Sequence, residues 1–315
     1  MGNILVTGAN GFVGSNLCGY LHENGYIIYA LQRSGSAGEN IFEKIFAWDS
    51  LQQKDLENTE AVIHLAGKAH DTNNVSEPQI YFDINFGLTK RIFDLFLKST
   101  AKDFIFFSSV KAVADTVTGI LDESSIPGPQ TPYGQSKLQA EQYLLNAHLP
   151  AGKRVIILRP CMIHGPANKG NLNLLYGFVK RGIPYPLAAY KNKRSFLSVR
   201  NLCYIVEKIL QQPLVPSGIY NVADDEPLNV TDAVRIISET AGKKARLISV
   251  PPKLLNIFVK AGDLLKLPLN SERLKKMTES YMVSNNKIKS VLHIDSLPLS
   301  SKEGLIKTIE SFLLK

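Results

Sequence analysis

The stretch Asn3-Ile4-Leu5-Val6-Thr7-Gly8-Ala9-Asn10-Gly11-Phe12-Val13-Gly14 decides the fold. Its apolar opening reads as a strand, its glycines as a tight turn, and the residues from Gly11 to Asn24 as a helix. A strand that feeds a glycine turn into a helix start presents unpaired backbone N–H groups and the positive end of a helix dipole. A dinucleotide pyrophosphate binds in such a place. The glycines in Gly8-x-x-Gly11-x-x-Gly14 allow a tight turn, close approach to phosphate and close helix–strand packing. Gly8, Asn10, Gly11, Phe12, Val13 and Gly14 are therefore candidate cofactor contacts.

Downstream, short apolar runs alternate with helical patterns. Strands are expected at Asn3–Val6, Ile27–Leu31, Lys44–Ala47, Ala61–Leu65, Asp103–Ser108 and Arg154–Leu158. Helices are expected at Gly11–Asn24, Gln79–Ser99 and Pro132–Asn146. Continuous apolar strands separated by helices predict an α/β doubly wound parallel sheet of the Rossmann type. After Arg159-Pro160 the rhythm changes, and a smaller substrate-binding domain is expected. The division reads as 1–165 plus 199–241 for the dinucleotide domain and 166–198 plus 242–315 for the substrate domain. Thr231–Ala241 is read as a helix capped by Thr231. Lys253–Leu267 is read as an amphipathic helix on the substrate domain, with a weak membrane-surface contact as its alternative.

The 315 residues are enough for one large or two smaller domains, and 44% apolar and 20% charged content is ordinary for a soluble globular chain. Cys18, Cys161 and Cys203 share no metal-ligand spacing, so reduced thiols, a cytoplasmic location and no metal site are expected. The net charge of +8 reads as a solvated basic surface or as attraction for an anionic substrate. The chain lacks a basic-aromatic RNA motif, a zinc-finger spacing and a helix-turn-helix pattern, which argues against nucleic acid.

The second chemical signal is Thr131-Pro132-Tyr133-Gly134-Gln135-Ser136-Lys137. Residues four apart share a helix face, so a phenol and an ammonium lie together. A free phenol titrates near pH 10, and a neighbouring cation is expected to lower that value toward the working range. A glycine cradle with such a pair points to a redox enzyme.

Together these motifs resemble the extended short-chain dehydrogenase/reductase family, the NAD-dependent epimerase/dehydratase group. Val62-Ile63-His64-Leu65-Ala66-Gly67 looks like the family's fourth strand, placing Leu65, Ala66 and Gly67 beside the cofactor. Asn85 matches an asparagine in its next helix, and Phe106-Phe107-Ser108-Ser109 resembles its fifth strand. The resemblance implies Ser109, Tyr133 and Lys137 as catalytic residues, with Lys137 also holding the nicotinamide ribose. Ser109 is preferred over Ser108. Arg159-Pro160 and His164-Gly165-Pro166 resemble the segment over the nicotinamide, which adds Pro160 to the cofactor contacts.

Gln32-Arg33 stands where an acid would mark NAD, so NADP(H) is the expected cofactor, with Arg33 on the 2′-phosphate and NAD(H) as the alternative. Asp49 is a candidate partner for the adenine amino group. The resemblance further implies a nucleotide-diphosphate sugar substrate, with Asn171, Arg194 and Arg273 on the diphosphate. The runs around Ser109 and Tyr133 look most like bacterial nucleotide-sugar 4-ketoreductases, which act on UDP-4-keto-6-deoxy-N-acetylhexosamines for surface polysaccharide biosynthesis. A UDP-hexose 4-epimerase with tightly bound NAD is the nearest alternative. A dihydroflavonol- or steroid-type reductase and a non-catalytic dinucleotide sensor are more distant ones. Ala114-Asp115 departs from the residues usual in relatives after the serine. A homodimer through Gln79–Ser99 and Pro132–Asn146 is also expected.

Overall fold

The computed structural model describes residues 2–33, 40–68, 77–168, 171–255, 259 and 271–314. The chain begins with β1 (Asn3–Thr7), α1 (Phe12–Glu23), β2 (Ile27–Gln32), β3 (Phe42–Ala47) and β4 (Ala61–His64). Next come α2 (Pro78–Tyr81), a π-helical segment at Phe82–Gly87, and α3 (Leu88–Lys98). They lead to β5 (Asp103–Phe107), β6 (Ile120–Leu121), α4 (Pro132–Leu145) and β7 (Arg154–Pro160). Beyond β7 lie β8 (Met162–His164), α5 (Asn171–Lys180), β9 (Lys193–Arg194), β10 (Phe196–Ser198), α6 (Val199–Gln211) and β11 (Gly218–Val222). The last described elements are β12 (Leu228–Asn229), α7 (Val230–Thr240), α8 (Ser271–Thr278), β13 (Met282–Val283), α9 (Asn286–Leu292) and α10 (Ser301–Leu313).

Seven strands form one parallel sheet in the order β11-β7-β5-β4-β1-β2-β3. The order reverses direction between β1 and β4, which opens a crevice at the carboxyl ends of those strands, the usual ligand position in a doubly wound sheet. The apolar strand runs reflect cover on both faces: Ile4 and Val6 enter one core cluster, while Leu5 between them enters the other.

All of β7 is buried, including two arginines that require partners there. Arg154 makes a two-pronged contact with Asp103 at 2.6 and 2.8 Å. It also donates to the carbonyls of Ile209, Gln212 and Val215, binding the negative end of α6 to the sheet. Arg159 pairs with Glu141 of α4 at 2.9 and 2.5 Å.

A third core lies outside the sheet, where α5, α7 and α10 pack around Tyr176, Phe196, Ile237 and Ile309. This changes the division read from sequence. α7 belongs with the second lobe, because Ala233, Val234, Ile236 and Ile237 are buried there, whereas Ile288 and Leu292 of α9 return to the sheet core. The cap of α7 is Asn229, whose side chain accepts from the Thr231 N–H, so Thr231 lies inside the helix. The helix expected over Gln79–Ser99 is interrupted by the π-helical segment. The three cysteines are buried and form no disulfide. Among the described residues no helix is long and apolar enough to cross a membrane. The amphipathic segment expected at Lys253–Leu267 lies largely outside the described residues.

Candidate active site

The crevice is floored by the opening glycine run. Gly8 adopts a left-handed φ of +70°, and a Cβ there would stand 2.9 Å from the Ala66 nitrogen, so β1 and the end of β4 meet only because the side chain is missing. A Cβ on Gly14 would sit 2.2 Å from the Gly8 carbonyl oxygen, so glycine lets α1 pack against the turn. Gly11 caps α1 without a side-chain bond, and no acid occupies the first turn. The N-terminus therefore keeps its free N–H groups and positive dipole for an anion. Asn10 and Gly11 are exposed, while Phe12 and Val13 are partly buried. The Asn16 side chain donates to the carbonyls of Phe12 and Pro166, holding the segment after β8 over this turn.

At the far end of β2, Gln32 is 5% exposed and its Nε2 donates to Asn10 Oδ1 at 3.1 Å. Among the described residues Gln32 Oε1 is buried with no hydrogen-bond partner. Arg33 is exposed, and so is Asp49 after β3. The Trp48 N–H bonds the Gln32 carbonyl, which keeps Asp49 near the end of β2. These features fit a dinucleotide: a cradle that Cβ atoms would fill, a helix start clear of acids, and an unpaired buried acceptor beside the turn.

A polar chain beneath the crevice holds the end of β4. The Ala66 N–H donates to Thr7 Oγ1 at 3.0 Å, Thr7 Oγ1 meets His64 Nδ1 at 2.7 Å, and His64 Nε2 meets Thr89 Oγ1 at 3.0 Å. Thr89 then donates to the Asn85 carbonyl at 2.6 Å. One proton order satisfies every bond, with Thr7 donating to Nδ1 and the proton of a neutral His64 on Nε2. Burial, reinforced by the Lys137 charge, pushes His64 down to about 3, so it stays neutral. Asn85 is the fully buried residue of the π-helical segment. Asn85 accepts from the Lys68 N–H at 2.7 Å and donates to Ser136 Oγ at 3.0 Å, bridging the end of β4 to α4.

Ser109, Tyr133 and Lys137 come together above this frame. Ser109 follows β5, is 9% exposed, and is hydrogen-bonded to the Tyr133 phenol. Ser108 points elsewhere and donates to Glu141. Thr131 caps α4 by accepting from the Gly134 N–H, and Pro132 opens the helix, which fixes the start from which Tyr133 and Lys137 project. Lys137 is 5% exposed, and its Nζ donates to the Phe107 carbonyl at 2.8 Å. Desolvation lowers it to about 8 despite the opposing charge of Glu141 one turn on, so it is an ammonium at neutral pH. Gly67 faces the same point: a Cβ there would lie 2.8 Å from Asn85 Oδ1 and 3.3 Å from Lys137 Nζ. Leu65 and Ala66 are partly buried beside it, and Pro160 is buried at the end of β7.

One electrostatic expectation fails. Tyr133 is not pulled down by Lys137. Burial pushes the phenol above its usual value, opposed by the Ser109 hydrogen bond. The physical reason is direction, since the ammonium is turned onto the Phe107 carbonyl.

Tyr281, which packs on the sheet core beyond α8, donates its hydroxyl to the Ala114 carbonyl at 2.7 Å while the Lys111 ammonium lies 4.5 Å from its ring. Arg194 bridges to Tyr281 through the backbone and is partly buried. Desolvation lowers its guanidinium, and the charges of Tyr185, Glu279 and Tyr281 oppose that shift. The side chains of Asn171 and Arg273 lie outside the described residues. Sequence reasoning overlooked Glu141 and the Thr7–His64–Thr89 chain. Only the buried polar letters inside apolar runs marked them.

Residues 4–223 match the NAD dependent epimerase/dehydratase family. The chain is 28% identical to a UDP-glucose 4-epimerase of Vibrio cholerae, over 99% of this chain and 95% of that protein. It is 26% identical to the N-acetyl-alpha-D-glucosaminyl-diphospho-ditrans,octacis-undecaprenol 4-epimerase of Escherichia coli O157:H7, over 98% and 94% of the two chains. In fold it is similar to MoeE5, solved in complex with UDP-glucuronic acid and NAD, with a TM-score of 0.77, 22% identity and 99% of both chains covered.

Proposed function

The chain belongs to the NAD dependent epimerase/dehydratase family, and from that premise we propose that it carries out hydride transfer at C4 of a nucleotide-diphosphate sugar. The favoured direction is reduction of a UDP-4-keto-6-deoxy-N-acetylhexosamine. What carries this reading is the convergence of the Ser109 hydroxyl, the Tyr133 phenol and the Lys137 ammonium beside a cradle suited to a dinucleotide.

A bound nicotinamide supplies the hydride to the carbonyl carbon or removes it in reverse. Ser109 holds the carbonyl oxygen in line with Tyr133, which donates its phenolic proton to that oxygen. The resulting phenolate keeps the Ser109 hydrogen bond, while Lys137, which retains its proton below about pH 8, would hold the nicotinamide ribose. Gly8, Asn10, Gly11, Phe12, Val13 and Gly14 would hold the pyrophosphate, and Leu65, Ala66, Gly67 and Pro160 would flank the nicotinamide side. Arg194, with Asn171 and Arg273, is assigned to the diphosphate.

A second reading, a 4-epimerase that retains NAD, is favoured by the two full-length relatives that carry that name. Incubation with UDP-4-keto-6-deoxy-N-acetylglucosamine and reduced cofactor separates the two. The reductase consumes one reduced cofactor per product, whereas the epimerase interconverts UDP-hexoses with no added cofactor and carries NAD through purification. Failure of both reactions overturns the C4 assignment.

A further inference from the structure

We propose that the outer face of α5, with the basic run after α7 beside it, docks on the surface of an anionic lipid bilayer. This face replaces the weak membrane contact expected at Lys253–Leu267, most of which lies outside the described residues. Such docking is independent of the reaction assigned to the crevice.

A helix at a protein surface normally turns charged residues outward, and a helix that is apolar all round is normally enclosed. α5 does neither. From Leu172 to Val179 it has no charged residue, yet one side of it faces water. Leu172, Tyr176 and Val179 are buried in the core shared with α7. On the other side Leu174 is 67% and Phe178 52% exposed, and these two positions share one stripe with Arg181. The stripe continues past the helix. Gly182 takes a left-handed φ of +68°, and the Ile183 N–H donates to the Phe178 carbonyl at 3.1 Å. That turn ends the helix and sets Ile183, 41% exposed, beside Phe178.

Backbone pairing brings cations to this edge. The Tyr185 N–H donates to the Arg246 carbonyl at 2.7 Å, and the Ile248 N–H to the Tyr185 carbonyl at 2.9 Å. Arg246 Nη1 also donates to the Gly182 carbonyl at 3.2 Å. Phe178 and Ile183 therefore line one groove together with Lys244 and Arg246. Residues 171–190 and 242–254 carry Lys180, Arg181, Lys243, Lys244, Arg246 and Lys253, all exposed, and no acid. Exposed Glu239 at the end of α7 offsets one of these charges. Apolar side chains bordered by lysine and arginine match the boundary between acyl chains and anionic headgroups. A second copy of this chain fits poorly, because the two basic borders repel. A soluble polyanion uses the cations but leaves Leu174 and Ile183 in water. α5 opens at Asn171, soon after Pro166, whose carbonyl Asn16 holds over the glycine turn, so the docked face starts close to the crevice.

The test is co-sedimentation of the full chain with vesicles of phosphatidylcholine, with and without phosphatidylglycerol, at low and high salt. Wild type is expected to bind the anionic vesicles about tenfold more tightly than the neutral ones, and high salt should release it. Lys243→Glu combined with Lys244→Glu should weaken that binding about tenfold or more. Leu174→Ser combined with Phe178→Ser should also weaken it about tenfold, with a melting curve close to that of wild type. Phe178→Trp, which keeps the stripe apolar, should shift its emission to the blue on anionic vesicles. No binding by wild type, or equal binding to neutral and anionic vesicles, overturns the proposal. Binding that the lysine variant loses and the Leu174 and Phe178 variant keeps, with no emission shift, overturns it in favour of a soluble polyanion. Self-association of wild type that the Leu174 and Phe178 variant abolishes, seen by sedimentation velocity without vesicles, overturns it in favour of a second copy.

Discussion

Replacing Glu141 by glutamine probes the most deeply buried charge pair in the molecule's described part that also reaches the site. The Glu141 and Arg159 side chains are 1% and 2% exposed, and they meet at 2.9 and 2.5 Å, with Ser108 donating to the same carboxylate. Charge-assisted contacts of this kind are each worth roughly 1.5–3 kcal/mol. Glutamine keeps one oxygen for Arg159 but turns an N–H toward the guanidinium and leaves a buried charge uncompensated. The expected loss is about 3 kcal/mol, the lower end of the cost of breaking one partner of a buried pair. Urea unfolding of wild type and Glu141→Gln, with Arg159→Met and the double variant completing a cycle, measures it. The same carboxylate opposes the desolvation of Lys137, which stands at about 8 with that support. Removing it lowers the lysine further, so the ammonium is lost at a lower pH and the alkaline limb of kcat/KM moves down. A stability change within about 0.5 kcal/mol, or an unmoved alkaline limb, refutes the reasoning.

Tyr133→Phe should lower kcat about a hundredfold to ten-thousandfold while leaving dinucleotide affinity within about twofold; stopped-flow reduction and cofactor titration check both. Gly67→Ala forces its Cβ against Asn85 and Lys137, so turnover should fall about a hundredfold with the melting temperature nearly unchanged. Full turnover would show that Gly67 does not face the reacting centre. His64 has a folded value near 3 against 6.5 when unfolded, so below about pH 6.5 the unfolded chain takes up a proton that the folded one refuses. That contribution is present above pH 6.5 and is lost toward pH 3, at up to about 1.4 kcal/mol per pH unit. Urea midpoints between about pH 7 and pH 4 should fall more steeply in wild type than in His64→Asn, and equal slopes contradict the neutral assignment.

Much of the fold was legible because periodicity and glycine spacing are local. β1 through β5, β7 and α4 lie within a few residues of their expected places, since continuous apolar runs and an N-cap followed by proline act on the nearest turn. Long-range choices were not legible. α7 joined the second lobe because its apolar face meets α5 and α10, which no pattern inside Val230–Thr240 announces. The letters of the proposed site can be named from the sequence, but their directions cannot: Lys137 turned to the Phe107 carbonyl, Ser108 to Glu141, and Gln32 committed its N–H to Asn10. Each direction depends on a partner more than twenty residues away, fixed only when the sheet closes. The π-helical segment that turns Asn85 toward Ser136 likewise has no signature in Phe82–Gly87.

The central claim is tested most directly by following a label. The protein is supplied with UDP-4-keto-6-deoxy-N-acetylglucosamine and reduced cofactor carrying deuterium at the transferable position, and the product is analysed by proton NMR and mass spectrometry. The account predicts one deuterium, on C4 of the sugar and of a single configuration, with the label lost from the cofactor in equal amount. Deuterium at another carbon, or a reduced cofactor that keeps its label while the sugar is unchanged, contradicts it.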